Sequence, residues 1–347
     1  MKQENIGTII EPGQDFEIDL FRPEDAEGVV SLFLVVYGSG YPIKTFMEPE
    51  TLKRENAAGR TISTVARTSR DDIIGHNALY QSAPHAGVYE SGVGLVHPAY
   101  RGDKGIFSAL IAHGLEIGIR KFGVEAAFSE PVCNHLLSQK QASRLGWVTQ
   151  ALEVDLMPAA AYDKEKSAAG RVSTLLDFGT ILPKPHRVYL PAVYEESLRF
   201  LYDGLDDKRL LEVGNGDPLP DSATDMKIQI FDFAGVARIA IPAAGADFAE
   251  RFAVQEQALW QQGLAVLQVW INLSVPWVSS VVDVLKKRGY FLGGLLPRWF
   301  DEDGMLMQKT LQSPNWEGIK LYSERAGKLF ELVQADWKRA DLIRDSH

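Results

Sequence analysis

Apolar and polar residues alternate over 16–22 (FEIDLFR), the period of a half-buried strand. Pro23 then opens a run at helical spacing to about Tyr37, with Glu24, Asp25 and Glu27 near its positive end. GSGYP (38–42) breaks it, and a short polar helix follows from Glu48 to Ala58. Three strands are expected next: 61–68, 72–81 and the glycine-rich YESGVGLVH (89–97). After the loop PAYRGDKG comes a helix from about Gly105 to Lys121, with Ile106, Leu110, Ile111, Leu115 and Ile119 on one stripe. A strand (124–129), a helix (136–145) and a strand (148–158) close the first half. The order β-α-α-β-β-β-α-β-α-β predicts a mixed sheet with helices on both faces.

Composition shifts at the alanine-rich and charged AAAYDKEKSAAGR, so a linker is expected at 159–170 between domains 1–158 and 171–347. The second part reads as RVSTLLDF, a proline-rich stretch, a helix over 193–205, a loop over 214–225 and two strands. A helix (247–262), the strand AVLQVWI, a helix to Arg288, two strands and a helix over 316–342 complete it. Its β-β-α-β-α-β-β order repeats the tail of the first half by element, with little residue-level repetition. The apolar window 263–285 holds Gln268, Asn272, Pro276 and Asp283, which predicts a buried strand and a helix instead of a membrane span.

The 347 residues carry 36 basic and 46 acidic side chains, a net charge of −10, which disfavours nucleic acid and anionic membranes as partners. One cysteine, Cys133, excludes an internal disulfide framework and any multi-cysteine metal site. No metal is expected, and the cysteine usage with no visible targeting segment fits the cytoplasm.

Against that acidic background, Glu90–Leu110 stands out. A strand ends, an Arg-Gly loop follows and a helix begins. Amides at a helix start, flanked by Gly102 and Gly105 and by Arg101 and Lys104, suit a phosphate or pyrophosphate. VHPAYRGDKGIFSAL resembles the acyl-CoA-binding motif of the GNAT acyltransferase superfamily. Val96, Pro98, Tyr100, Arg101 and Gly102 match its Val-x-Pro-x-Tyr-Arg-Gly pattern. Asn134, Ser138 and RLGW (144–147) resemble that family's next helix and turn, and the element order over 16–157 is also the family's.

The resemblance implies tandem GNAT-like domains, each a mixed, mostly antiparallel sheet flanked by helices, the second degenerate. It implies N-acyl transfer from acetyl-CoA to a small-molecule or protein amine. Backbone groups of Leu95 and Val96 would meet the pantetheine, and amides of Gly102, Asp103, Lys104, Gly105 and Ile106 the pyrophosphate. Asn134 and Ser138 complete the cofactor set. The base that removes the amine's proton is Glu90, with Glu130 second and His135 third. His76 and His97 are assigned to strand packing or the surface, and Cys133 to a buried inert thiol.

Two departures from the pattern stand in this sequence. Gly105 lies four residues after Arg101 instead of three, as if Asp103-Lys104 held an insertion. Ala142 occupies the position where a tyrosine often serves as general acid. In the second half, VVDVLKKRGYF echoes the helix and turn, but IPAAGADFAERF has no basic residue before Arg251. A non-catalytic acyl-CoA-sensing or interaction module is therefore the alternative, and a nucleotide-binding α/β protein a third. Homodimer formation is left open.

Overall fold

The computed structural model describes residues 10–39, 41, 43–102, 105–162, 168–205, 207–214 and 216–344. They fall into two compact units, one within Met1–Ser82 and Ala86–Ala127, the other within Ala83–His85 and Phe128–His347.

The first unit runs β1 (Phe16–Leu20), α1 (Ala26–Tyr37), α2 (Pro49–Ala57), β2 (Thr61–Thr68), β3 (Ile73–Tyr80), β4 (Val88–Val96) and α3 (Ile106–Phe122). β1 to β4 pair antiparallel in chain order. Side chains alternate across a strand, so neighbours serve opposite faces. Val65 and Ile73 pack with Val29, Leu32 and Phe33 of α1. Ala66 and Ile74 pack with Ile106 and Leu110 of α3. With both faces covered, β2 and β3 are buried almost throughout, their polar residues Ser63, Thr64, Arg67, His76 and Asn77 included. At the start of α1, Asp25 accepts two bonds from Arg67 on β2, from Nε at 2.9 Å and Nη2 at 2.6 Å. Both side chains are buried, so this carboxylate ties the helix to the sheet.

β5 (Ala126–Ser129) carries the chain into the second unit. There follow α4 (Leu137–Arg144), β6 (Val148–Met157), β7 (Val172–Thr180), β8 (Arg187–Pro191), α5 (Glu195–Tyr202), β9 (Leu210–Gly214), β10 (Asp225–Phe231) and β11 (Val236–Ala243). The unit continues with α6 (Phe248–Gln261), β12 (Val266–Asn272), α7 (Val278–Lys287), β13 (Phe291–Phe300), β14 (Glu302–Thr310) and α8 (Glu324–Arg344). Its sheet has the order β7-β6-β13-β14-β12-β11-β10, and β8 and β9 form a separate parallel pair. All adjacent pairs are antiparallel except β11–β12, which α6 connects. The mixed sheet flanked by helices is the expected fold class.

The element-level repeat is visible in the pairing. β14 lies between β13 and β12. Correspondingly, β7 pairs with β6 on one side, and Leu175 donates to Pro131 O at 2.9 Å on the other, just after β5. β6 and β13 meet through the pair Ala151–Gly294. A Cβ at Gly294 would lie 2.3 Å from Gln150 O, and φ is +140°, so only glycine allows this approach. The stretch expected as a linker, 159–170, joins the paired strands β6 and β7; its residues 163–167 lie outside the described residues.

The window 263–285 resolves into β12 and α7, and no helix among the described residues is long and apolar enough to cross a membrane. Two expectations differ from the structure. β8 and β9 were not expected, because each spans only five residues and β8 ends on a proline. α8 starts at Glu324 instead of 316. Residues 316–318 form one 3₁₀ turn, and the chain then stays extended, Lys320 N donating to Cys133 O and Tyr322 N to Gln139 Oε1. Long-range bonds thus override the helical spacing of that stretch.

Asp177 on β7 is buried and accepts a 2.6 Å bond from Thr149. Burial pushes its carboxyl up to about 6, and the Thr149 bond only partly opposes this. The folded chain then holds a proton that the unfolded chain releases between about pH 4 and 6, so this group's contribution falls as pH rises through that window. Asp177→Asn keeps an oxygen for Thr149 and removes the buried charge. It should raise the unfolding free energy by ~1–3 kcal/mol at pH 7.5 and change it little at pH 4, as read by urea titration. No gain at pH 7.5 would show that this carboxylate is solvated in the folded state.

Candidate functional site

The glycine-rich β4 is irregular where the sequence is unusual. Leu95 pairs with His76 and Gly92 with Ala78, so Val93 and Gly94 face a single residue of β3. This is a β-bulge. Val93 sits at φ +49°, a costly conformation for a β-branched residue and one that clusters at functional sites. His76 clamps it from below, 3.1 Å from Val93 O, with Ser63 Oγ 3.1 Å from its other ring nitrogen. Burial lowers His76 to about 4, so at neutral pH the uncharged ring donates from Nδ1 to Val93 O and accepts from Ser63. The expected packing role of His76 is thus a specific one.

β4 ends where His97 N donates to Ile74 O, and Pro98–Tyr100 make one 3₁₀ turn. His97 accepts from Ala99 N at 3.3 Å. The buried Tyr100 fixes the loop, its hydroxyl donating to Glu11 O at 2.7 Å and accepting from Gln14 N at 3.2 Å. Arg101 Nε folds back to Val96 O at 3.0 Å, so that carbonyl is already engaged. Gly102 at φ +115° and Gly105 at φ +64° turn the chain into α3, and among the described residues a Cβ at either would meet nothing within 4 Å. The backbone is therefore open just before a helix start, where first-turn amides lack intrahelical acceptors. Ile106 is buried with Tyr100 and Leu110, and Leu95 is buried in the cluster that holds Phe33. Asp103 and Lys104 lie outside the described residues.

Glu90, six residues before Val96, is 7% exposed. Tyr80 donates to its Oε1, and Ser82 Oγ donates to Oε2 at 2.8 Å. Sequence reasoning missed both partners. Thus Glu90, Leu95, Val96, Arg101, Gly102, Gly105 and Ile106 are together on one strand, loop and helix of the first unit.

The other expected residues lie in the second unit, Glu130, Asn134 and His135 between β5 and α4 and Ser138 in the first turn of α4. Glu130 Oε1 accepts from Arg238 Nη2 at 2.9 Å, so this carboxylate is held in an ion pair. His135 Nδ1 accepts from Leu137 N at 3.3 Å at the start of α4, a local structural bond. Asn134 is buried. Ser138 Oγ is buried with no hydrogen-bond partner among the described residues. Cys133 is fully buried, and burial pushes its thiol far above the usual range, which makes it inert.

The counterpart stretch in the second half, between β11 and α6, is filled. Gly245 N donates to Thr224 Oγ1 at 3.0 Å and Ala246 N to Pro220 O at 2.9 Å. Thr224 in turn donates to Asp247 Oδ1 from its amide at 2.8 Å and its hydroxyl at 2.7 Å. A Cβ at Gly245 would lie 1.6 Å from Ser222 O. The chain's own 220–224 segment occupies the amides that an anion would need. β11 and β12 also pair without interruption from Val236–Val266 to Ile241–Ile271. Gly245→Ala should therefore cost ~2 kcal/mol or more in urea denaturation by displacing that segment. Wild-type stability would mean that 220–224 is not docked there.

No family model matches the chain, and no curated protein matches it. Solved structures do. The ribosomal-protein-S5-alanine acetyltransferase of Vibrio fischeri is 14% identical with a TM-score of 0.38, covering 51% of this chain and 97% of that one. A putative acetyltransferase from Salmonella typhimurium, solved with its cofactor acetyl-CoA, is 14% identical at 0.39, covering 48% and 94%. A putative acetyltransferase of the GNAT family from Desulfovibrio desulfuricans is 17% identical at 0.37, covering 48% and 99%.

Proposed function

We propose that the chain is an N-acyltransferase that moves an acetyl group from acetyl-CoA to an amine, with tandem GNAT-like halves of which the first, 1–158, is the working one. The observation that carries this reading is the strand, loop and helix of the first unit: a bulge strained at Val93, followed by the open backbone at Gly102 and Gly105. Gly102 and Gly105 carry no side chain where a polyanion would need to approach the backbone, which fits the pyrophosphate of coenzyme A. Backbone groups of Leu95 and Val96 would meet its pantetheine, and Arg101 with the amides from Gly102 to Ile106 would hold the pyrophosphate. When bound, acetyl-CoA would supply the acetyl group as a thioester whose C–S bond breaks as the new C–N bond forms.

This chain's part is to orient the amine and take its proton. Glu90 is the base of choice, because its carboxylate is desolvated and fixed by Tyr80 and Ser82. Glu130 and His135 are weaker candidates, since an ion pair and a helix-start bond already occupy them. The amine belongs to a small molecule or a protein, and the reading places the enzyme in the cytoplasm.

Isothermal titration with acetyl-CoA, followed by thiol release over an amine panel, tests the reading. Absence of binding at millimolar acetyl-CoA overturns it. Glu90→Gln should lower turnover about 10²-fold at pH 7 and leave acetyl-CoA affinity within about twofold. An unaltered pH–rate profile removes Glu90 as the base. The buried Ala142, without a hydroxyl to protonate a leaving thiolate, favours a second reading: an acyl-CoA-binding module without turnover. It requires acetyl-CoA binding with no thiol release for any amine.

A further inference from the structure

The first unit carries a row of aromatic rings that the reading above leaves unused. Phe33 and Phe46 are buried and stacked, with ring centroids 5.3 Å apart. Tyr41 lies 5.0 Å from Phe33 and stacks at 4.9 Å on Tyr37. At the other end, Tyr80 meets Phe46 edge-on at 6.2 Å. The same Tyr80 donates its hydroxyl to Glu90. The row therefore leads from Tyr37 and Tyr41, at the end of α1 and beyond it, to a desolvated carboxylate on β4. Val93, the strained residue of the bulge, packs against the same cluster. Only the two phenylalanines are fully buried; Tyr37, Tyr41 and Tyr80 are half-buried and form its outer layer.

Resting on the acyl-transfer reading, we propose that this wall is the acceptor site, and that it takes a primary amine carried by an aromatic or bulky apolar body. Two features select that chemistry. Aromatic faces attract a cationic head and also cover an apolar body, whereas a polyamine needs further carboxylates spaced along its length. Glu90 places a carboxylate at one end of the row, where it accepts from the hydroxyls of Tyr80 and Ser82. The ammonium group would face Glu90, beside the bulge, and its apolar body would lie along Tyr80 and Tyr41. Glu90 is then both the anchor of the cation and the acceptor of the proton that the amine loses. Specificity rests on Tyr41, which packs in the cluster of Phe33 and Phe46, whereas Tyr100 and Ile106 on either side of the loop pack in the cluster of α3.

The full chain is titrated with 2-phenylethylamine, 2-phenylethanol and spermidine by calorimetry, and the amines are then assayed for thiol release from acetyl-CoA. The expected order places 2-phenylethylamine at least ~10-fold tighter than either of the others. Tyr41→Ala should weaken it ~10-fold, Tyr41→Phe should restore it to within about threefold, and acetyl-CoA affinity should be unchanged in both. Tighter binding of spermidine, or an unchanged affinity in Tyr41→Ala, overturns the acceptor assignment. Thiol release with spermidine in preference overturns it too, while acyl transfer stands. Binding of 2-phenylethylamine without thiol release from any amine supports the amine wall and overturns acyl transfer.

Discussion

Gly105→Asp is expected to weaken acetyl-CoA binding ~100-fold or more while the chain stays folded. Gly105 caps α3 in the left-handed region, at φ +64°. Asp is among the few residues that tolerate that conformation, and at a helix N-cap its carboxylate is favourable. Among the described residues a Cβ here would meet nothing within 4 Å, so the first side-chain atom is accommodated. What the variant introduces is a negative charge where the pyrophosphate would sit. Two unit charges ~5 Å apart at an effective dielectric of 20 repel by ~3 kcal/mol, a factor of order 10² in affinity. Gly105→Asn has nearly the same shape without the charge and should lose much less. Calorimetry on the three proteins separates the terms. Equal losses for Asp and Asn would mean that the site is steric, and no loss for Asp would remove the loop from the cofactor site.

That loop was legible because its chemistry is local. Leu95 to Ile106 are contiguous, and glycines next to a helix start have the same meaning in sequence and in space. β2 was legible to the residue, since a buried strand bounded by turn residues needs no distant partner to be recognised. Other features depend on residues far apart in the chain. Arg238 engages Glu130 across 108 positions, so Glu130 reads as a free acid in the sequence and as half of an ion pair in the structure. The 220–224 segment reads as a plain loop, yet it fills the helix start at Gly245. The lack of basic residues there signals a weak anion site, but it says nothing of the plug. The bulge at Val93 is intermediate. Two glycines in a strand hinted at an irregularity, while its clamp by His76 depended on the pairing of β3 with β4.

Arg238 is also where the second unit is expected to be most sensitive to mutation. Its Nη2 donates to Glu130 at 2.9 Å and to Glu153 at 3.0 Å, and its Nε to Gln268 at 2.9 Å. Gln268 and Thr174 each donate to Glu153 at 2.9 Å, so β6, β7, β11 and β12 all converge on one carboxylate. The guanidinium lies 5.2 Å from the Phe231 ring centroid and 5.4 Å from that of Trp270. Burial and the neighbouring Glu130 raise the Glu153 carboxyl, while Arg238 pulls it down. Arg238→Ala leaves two acids without their cation, and breaking a buried pair from one side costs ~3–5 kcal/mol. The cost depends on pH. A carboxyl raised in the folded state loses stability as pH increases from its ordinary value through the raised one, and removing Arg238 raises Glu153 further. The loss should therefore be greatest near pH 8 and smaller near pH 5, where a protonated Glu153 needs no counter-ion. Glu153→Gln added to Arg238→Ala should recover at least ~1 kcal/mol at pH 8, because the neutral amide removes the stranded charge. Urea titrations of the wild type, both single variants and the double variant at pH 5 and pH 8 complete the cycle. If Arg238→Ala costs under ~1 kcal/mol at pH 8, Glu153 is not ionised in the folded chain and Arg238 serves packing alone.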